Sequence, residues 1–219
     1  MKRFLIGTAA AIGAAVAISS AASAAVVITV NPAVTDYNSD VLAVPDSQIV
    51  WDFDTIADPR FTFSPGAAVT NGSVSDTYLQ PLNDDTNYGA VGPGPDNVQP
   101  ATFTSTQLMS SFSLLVGSPD FYNRIVFSGP SGVIADLTGD AMYPGIPDNG
   151  QNIARRITYD FGSSSVNHID FYSQFNAFEF DRFAASVPEP ATWAMMLLGF
   201  FGLGAMLRSQ KRNHAMSVA

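Results

Sequence analysis

The chain contains no cysteine. Disulfides are therefore excluded, and stability has to come from core packing or a bound metal. Charge is sparse, at 13% of 219 residues. Between residues 25 and 186 there is no lysine, and His168 is the only histidine. Of the 19 acidic residues, all but Glu189 fall in that stretch, against five arginines: Arg60, Arg124, Arg155, Arg156 and Arg182. So negative a surface argues against nucleic acid and anionic membranes as partners of this region. The same stretch lacks a period-3.6 apolar stripe of ten or more residues, which excludes a helical body. It also lacks a linear Asp-x-Asp-x-Asp-Gly calcium loop and a Gly-x-Ser-x-Gly nucleophile elbow. No internal repeat is present.

Long apolar runs occur only at the two ends. Lys2 and Arg3 precede an apolar, small-residue run over 4–18, and Ala22-Ser23-Ala24 is a small-x-small cleavage site. These parts predict a secretory signal peptide over 1–24, with Ala25 as the first mature residue. Near the other end, residues 191–207 carry no charge. As a helix they reach about 26 Å, near the hydrocarbon thickness of a bilayer. Trp193 sits where indoles favour the interface, and Arg208, Lys211 and Arg212 follow as a cytoplasmic stop. Pro188 and Pro190 keep the preceding backbone extended.

Pro188-Glu189-Pro190-x-x-Trp193-Ala194, a transmembrane run and a basic tail resemble the PEP-CTERM sorting signal in its PEPxxWA form. The signal occupies 187–213. The resemblance implies recognition by an exosortase, a membrane protease-transpeptidase of Gram-negative bacteria. It also implies transient anchoring in the inner membrane, cleavage near the Pro-Glu-Pro, and release to the cell surface or exopolysaccharide matrix. Glu189 between its prolines, together with Trp193, would carry recognition, and Arg208, Lys211 and Arg212 would hold topology.

What lies between the signals, 25–186, is long enough for one domain with a core. Runs rich in Val, Ile, Phe, Tyr and Thr alternate with Gly, Pro, Asn, Asp and Ser clusters. They predict strands at 26–30, 49–54, 102–104, 111–116, 124–128, 132–135, 156–161, 168–172 and 177–183. The expected fold is all-β, an antiparallel sandwich of jelly-roll type. Residues 80–99 read as a long surface loop. Period-2 alternation puts Phe178 and Phe180 on one face of the last strand and Glu179 and Asp181 on the other. It likewise separates Trp51 and Phe53 from Asp52 and Asp54. The four aromatics are expected to share a core.

A second, shorter resemblance lies in the body. Gly117-Ser118-x-Asp120-x-Tyr122-Asn123, followed later by Ala177-Phe178-Glu179-Phe180-Asp181, resembles a family of exosortase-dependent surface proteins. Val116 stands where that family has Trp, and Arg182 where it has Asn. The implied role is an exported surface protein.

Three chemistries are open to the body. Asp120, Glu179 and Asp181 are a candidate calcium site, with Asp52 and Asp54 as additions, since calcium takes six to eight oxygens. Against it, Asp120 serves equally to cap its own turn, and Asn83-Asp84-Asp85 reads as a solvated turn. Glu179 and Asp181, two apart on a strand, also satisfy the carboxyl spacing of a glycoside hydrolase. His168 shares a strand face with Asp170, but a nucleophile is not evident. Exposed tyrosines beside polar groups would bind a glycan of the matrix; Tyr78, Tyr88, Tyr122, Tyr143 and Tyr172 are the candidates. The expectation is a non-enzymatic surface or matrix protein without a resident cofactor. Binding of exopolysaccharide is the alternative.

Overall fold

The computed structural model describes residues 25–64, 66–92, 99–146, 153–187, 196 and 198–201. The expected signal peptide and sorting-motif residues Pro188, Glu189, Pro190, Trp193, Ala194, Arg208, Lys211 and Arg212 lie outside the described residues. Of the expected membrane span, 196 and 198–201 are described; they are helical. Among the described residues no helix is long and apolar enough to cross a membrane.

Twelve strands are described: β1 (Val27–Val30), β2 (Ile49–Trp51), β3 (Phe61–Phe63), β4 (Ala68–Thr70), β5 (Tyr88–Val91), β6 (Ala101–Met109), β7 (Ser111–Val116), β8 (Asn123–Gly129), β9 (Gly132–Thr138), β10 (Arg155–Asp160), β11 (Val166–Ser173) and β12 (Phe178–Ser186). One helix, α1 (Tyr37–Ala43), precedes β2. The strands form two antiparallel sheets. Sheet A runs β1-β10-β7-β12-β5-β4, with β2 also paired to β12; sheet B runs β3-β6-β11-β8-β9. Each of the nine expected strands is present, with ends shifted by a few residues.

Between the sheets lies an aromatic core. Phe112, Tyr159, Phe178, Phe180 and Phe183 from sheet A meet Phe103, Phe127 and Phe171 from sheet B, all fully buried. Phe183 is central to it, with its ring centroid 5.1 Å from Phe103, 5.2 Å from Phe112 and 5.5 Å from Phe171. Its position breaks simple alternation, which would turn residue 182 inward. Register shifts between Asp181 and Ala184, and Arg182 takes a left-handed φ of 49°. This bulge lets Phe183 point inward while Asp181 and Arg182 both leave through the outer face.

Three expectations are corrected, and the shared aromatic core is found. The strand expected over 49–54 ends at Trp51, because Asp52 Oδ1 accepts the amides of Asp54, Thr55 and Ile56 and curls the chain into a turn. Trp51 and Phe53 are partly buried at the edge of the core and Phe178 and Phe180 lie within it; Phe53 packs 5.8 Å from Phe180. The stretch 80–99 contains β5, whose four residues are all buried. Finally, the outer face of β12 does not face solvent. Strand β12 is internal to sheet A, and residues 79–86 lie over its outer face: Leu79 N–H donates to Glu179, Pro81 abuts Gly117, and Leu82 packs near Leu115. Glu179 and Asp181 are consequently 1% and 0% exposed.

Helix α1 is short but well capped, with Asp36 and Ser39 forming a reciprocal capping box. It is fastened to sheet A by a buried ion network. Asp40, with no exposed surface, accepts from Arg156 Nε at 2.7 Å and Arg182 Nε at 2.9 Å, and from a second Arg156 nitrogen. Arg156 also donates to the Arg182 carbonyl, and Arg182 reaches Asp46 and the Val44 carbonyl. Two of the five arginines of an acidic body are thus spent inside it.

Candidate functional site

The two body segments singled out in the sequence meet at one cleft. Strand β7 ends at Val116, and Gly117 N–H donates to the Glu179 carbonyl at 2.9 Å. Gly117 is needed there for its bareness: a Cβ would lie 3.0 Å from Pro81 and 3.1 Å from the Glu179 Cβ. The turn that follows is closed by Asn123 N–H onto the Asp120 carbonyl. Asn123 is fully buried and ties the turn to its surroundings through Ser118, Tyr143 and Ser173. This leaves Ser118, Asp120 and Tyr122 lining an open cleft of about 460 Å³, with Tyr78, Asn176 and Glu179 on its other walls.

Glu179 is the chemical focus of the cleft. Its Oε1 accepts the Leu79 amide at 2.8 Å, while its buried Oε2 has no hydrogen-bond partner. Burial pushes its pKa up to about 8; the Leu79 amide and Ser118 oppose this, and the Asp120 charge adds to it. Near neutral pH the side chain is therefore largely protonated, able both to donate and to accept.

Aromatic rings extend the cleft rim outward. Tyr122 donates its hydroxyl to the Asn176 carbonyl at 3.0 Å. Its ring lies 5.3 Å from Phe121 and 5.3 Å from Phe175, both edge to face. Phe121 and Phe175 are 59% and 56% exposed. Large side chains so exposed, side by side and next to a polar cleft, mark a contact surface rather than a core.

The remaining candidates separate. Asp181 does not line the Asp120–Glu179 cleft; it is sealed on the same outer face, where Asp84 and Asp52 act on it electrostatically. Asp84, expected in a solvated turn, is fully buried. Among the described residues no three Asp, Glu, His or Cys side chains are grouped to hold a metal ion. Asp54 accepts from Asn87. Tyr88 is buried with its hydroxyl on the Gly72 carbonyl, and Tyr143 is buried against Asn123. Tyr172 lies under Arg124 on sheet B, away from the cleft. His168 contacts Asp170 at 3.0 Å, and Asp170 also accepts from Thr102. Arg182, at the bulge, is committed to the Asp40 network.

The fold is a pair of antiparallel sheets, and the C-terminal end carries a sorting address. The model of the PEP-CTERM protein-sorting motif matches residues 186–212. Residues 186–212 thus carry a PEP-CTERM sorting motif, which implies export and exosortase sorting toward the cell surface. No curated protein and no solved structure matches the chain.

Proposed function

We propose that the mature body is a non-enzymatic glycan-binding module, displayed on the surface or in the exopolysaccharide matrix once exosortase has processed the tail. The observation that carries this reading is the cleft itself. Sugars bind through apolar faces stacked on aromatic rings and through hydroxyls bonded to fixed polar groups. Phe121, Tyr122 and Phe175 supply the first, and Glu179, Asp120 and Asn176 the second. The acidic lining, with Asp76 and Asp120, disfavours anionic polysaccharides and suits neutral ones.

Binding is tested by retention on a panel of neutral polysaccharides. Replacing Phe121 and Phe175 together by alanine is expected to lower retention at least tenfold while moving the melting temperature by under about 2 °C, since both side chains are exposed. Unchanged retention removes the aromatic rim from the argument.

One observation favours a second reading, glycoside hydrolysis: a carboxyl with a raised pKa shares its cleft with another carboxylate, Asp120. Reducing ends that appear from the same panel and vanish in Glu179→Gln would decide for catalysis. Retention without product decides for binding.

Sorting is tested separately by intact mass and fractionation. With exosortase present, the expected product lacks everything after the Pro-Glu-Pro region and leaves the inner membrane. In its absence the full-length C-terminus stays there. Full-length protein in both strains would make the tail a plain anchor.

A further inference from the structure

The outer face of sheet A holds a second pair of buried carboxyls, distinct from the Glu179 cleft. Asp181 has no exposed surface, and apart from a contact with the Arg182 amide neither of its oxygens has a hydrogen-bond partner. Asp84 is equally buried. Its Oδ1 takes the amide and hydroxyl of Thr86, and its Oδ2 has no partner.

Register explains how they come together. Asp181 pairs with Leu115 across β12 and β7, so both side chains leave the same face of the sheet. Leu82 and Tyr37 pack on the cluster that holds Leu115. Asp84 follows Leu82 in a turn closed by its own amide on the Pro81 carbonyl at 3.0 Å. Asp181 feels the Asp84 charge more than any other.

Three carboxyl oxygens so weakly partnered, on two buried side chains, require a cation or protons. The protein's own cation nearby is committed elsewhere: Arg182 donates to Asp40, Asp46 and the Val44 carbonyl. Protons would neutralise the pair and one carboxyl would donate to the other, but the second hydroxyl would still need an acceptor.

We propose that Asp84 and Asp181 hold a divalent cation, calcium, beneath the 82–86 turn. All the available donors are oxygens, which excludes the metals that select sulfur or imidazole. Two carboxylates leave most of the six to eight positions to other oxygens, an irregular set that calcium accepts and magnesium does not. The ion would tie the covering turn to the central strand, and it would do so only after export, where calcium is abundant. An affinity of about 10⁻⁴–10⁻³ M suits such a place.

The test uses the full chain purified in detergent. Calcium at 10 mM, compared with chelator at pH 7.5, is expected to raise the melting temperature by about 3–10 °C. Terbium bound in the same place should luminesce on tyrosine excitation, with Tyr37 close by, and calcium should displace it. Asp181→Asn and Asp84→Asn should each abolish both responses, whereas Asp120→Asn and Glu179→Gln should keep them. A wild-type melting temperature indifferent to calcium overturns the site. So does loss of the response in the Asp120 and Glu179 variants with retention in Asp84→Asn, which would move the ion into the cleft. Either variant of the pair suffices if the other fails to fold.

Discussion

Asp40→Ala destabilises the body by about 3–5 kcal/mol, because it leaves two buried guanidinium groups facing each other without their carboxylate. Arg156 and Arg182 are each 2% exposed, so water cannot take the place of Asp40. Arg182 keeps Asp46 and the Val44 carbonyl, but Arg156 is left with the Arg182 carbonyl and a long contact to Ser113. The expected damage is local first: α1 detaches from sheet A, then the Arg182 bulge loses its anchor, and Phe183 with it. Asp46→Ala is the control. Its side chain is 67% exposed and its pair with Arg182 is correspondingly weak, so a loss under about 1 kcal/mol is expected. Urea denaturation of the two variants measures the difference. Equal losses would show that Asp40 carries no special weight.

Raising the pH from 5 to 8 in the presence of chelator lowers the stability of the body. Burial raises the pKa of Glu179 to about 8, of Asp84 to about 6, and of Asp181 well above the usual carboxylate range. A carboxyl whose folded pKa exceeds its unfolded value near 4 contributes stability that is complete below pH 4. That contribution falls as the unfolded chain ionises while the folded one still holds its proton. It is lost once pH passes the folded value. For Glu179 the window is therefore about pH 4 to 8, with a slope of up to about 1.4 kcal/mol per pH unit. Glu179→Gln should flatten that share of the slope and gain on wild type as pH rises. Thermal melts at half-unit pH steps measure it. A wild-type profile that rises toward pH 8 in chelator would contradict the burial of these groups. Calcium works against the same trend, since the ion binds the ionised pair at Asp84 and Asp181.

The sheets were legible in the sequence because alternation and turn residues are local signals. Strand β7 and the start of β12 are clear examples, with Phe112, Leu114, Val116, Phe178 and Phe180 at period 2. What covers a face is not a local signal. Phe-Glu-Phe-Asp reads the same whether solvent or residues 79–86 lie over its carboxylates, and only tertiary placement decides between them. Strand β5 is hidden in the sequence for a related reason. Tyr-Gly-Ala-Val sits among Pro, Gly and Asn residues, and Gly89 is there because a Cβ would strike Phe180 at 2.4 Å. One signal was present and informative: Asp181-Arg182 puts two charges in succession before Phe183, where alternation called for an inward residue. That irregularity marks the bulge. The Asp120–Glu179 half of the candidate site was visible as two motifs. That Asp181 belongs with Asp84 instead was not.

The placement of β12 has a consequence for the order of events during export. It is the last strand to emerge, yet it is hydrogen-bonded to β7, β5 and β2 and carries the phenylalanine on which the core closes. Without it, the preceding strands of sheet A have no centre. The body cannot complete itself until residue 186 has cleared the membrane, and the expected membrane span begins only five residues later.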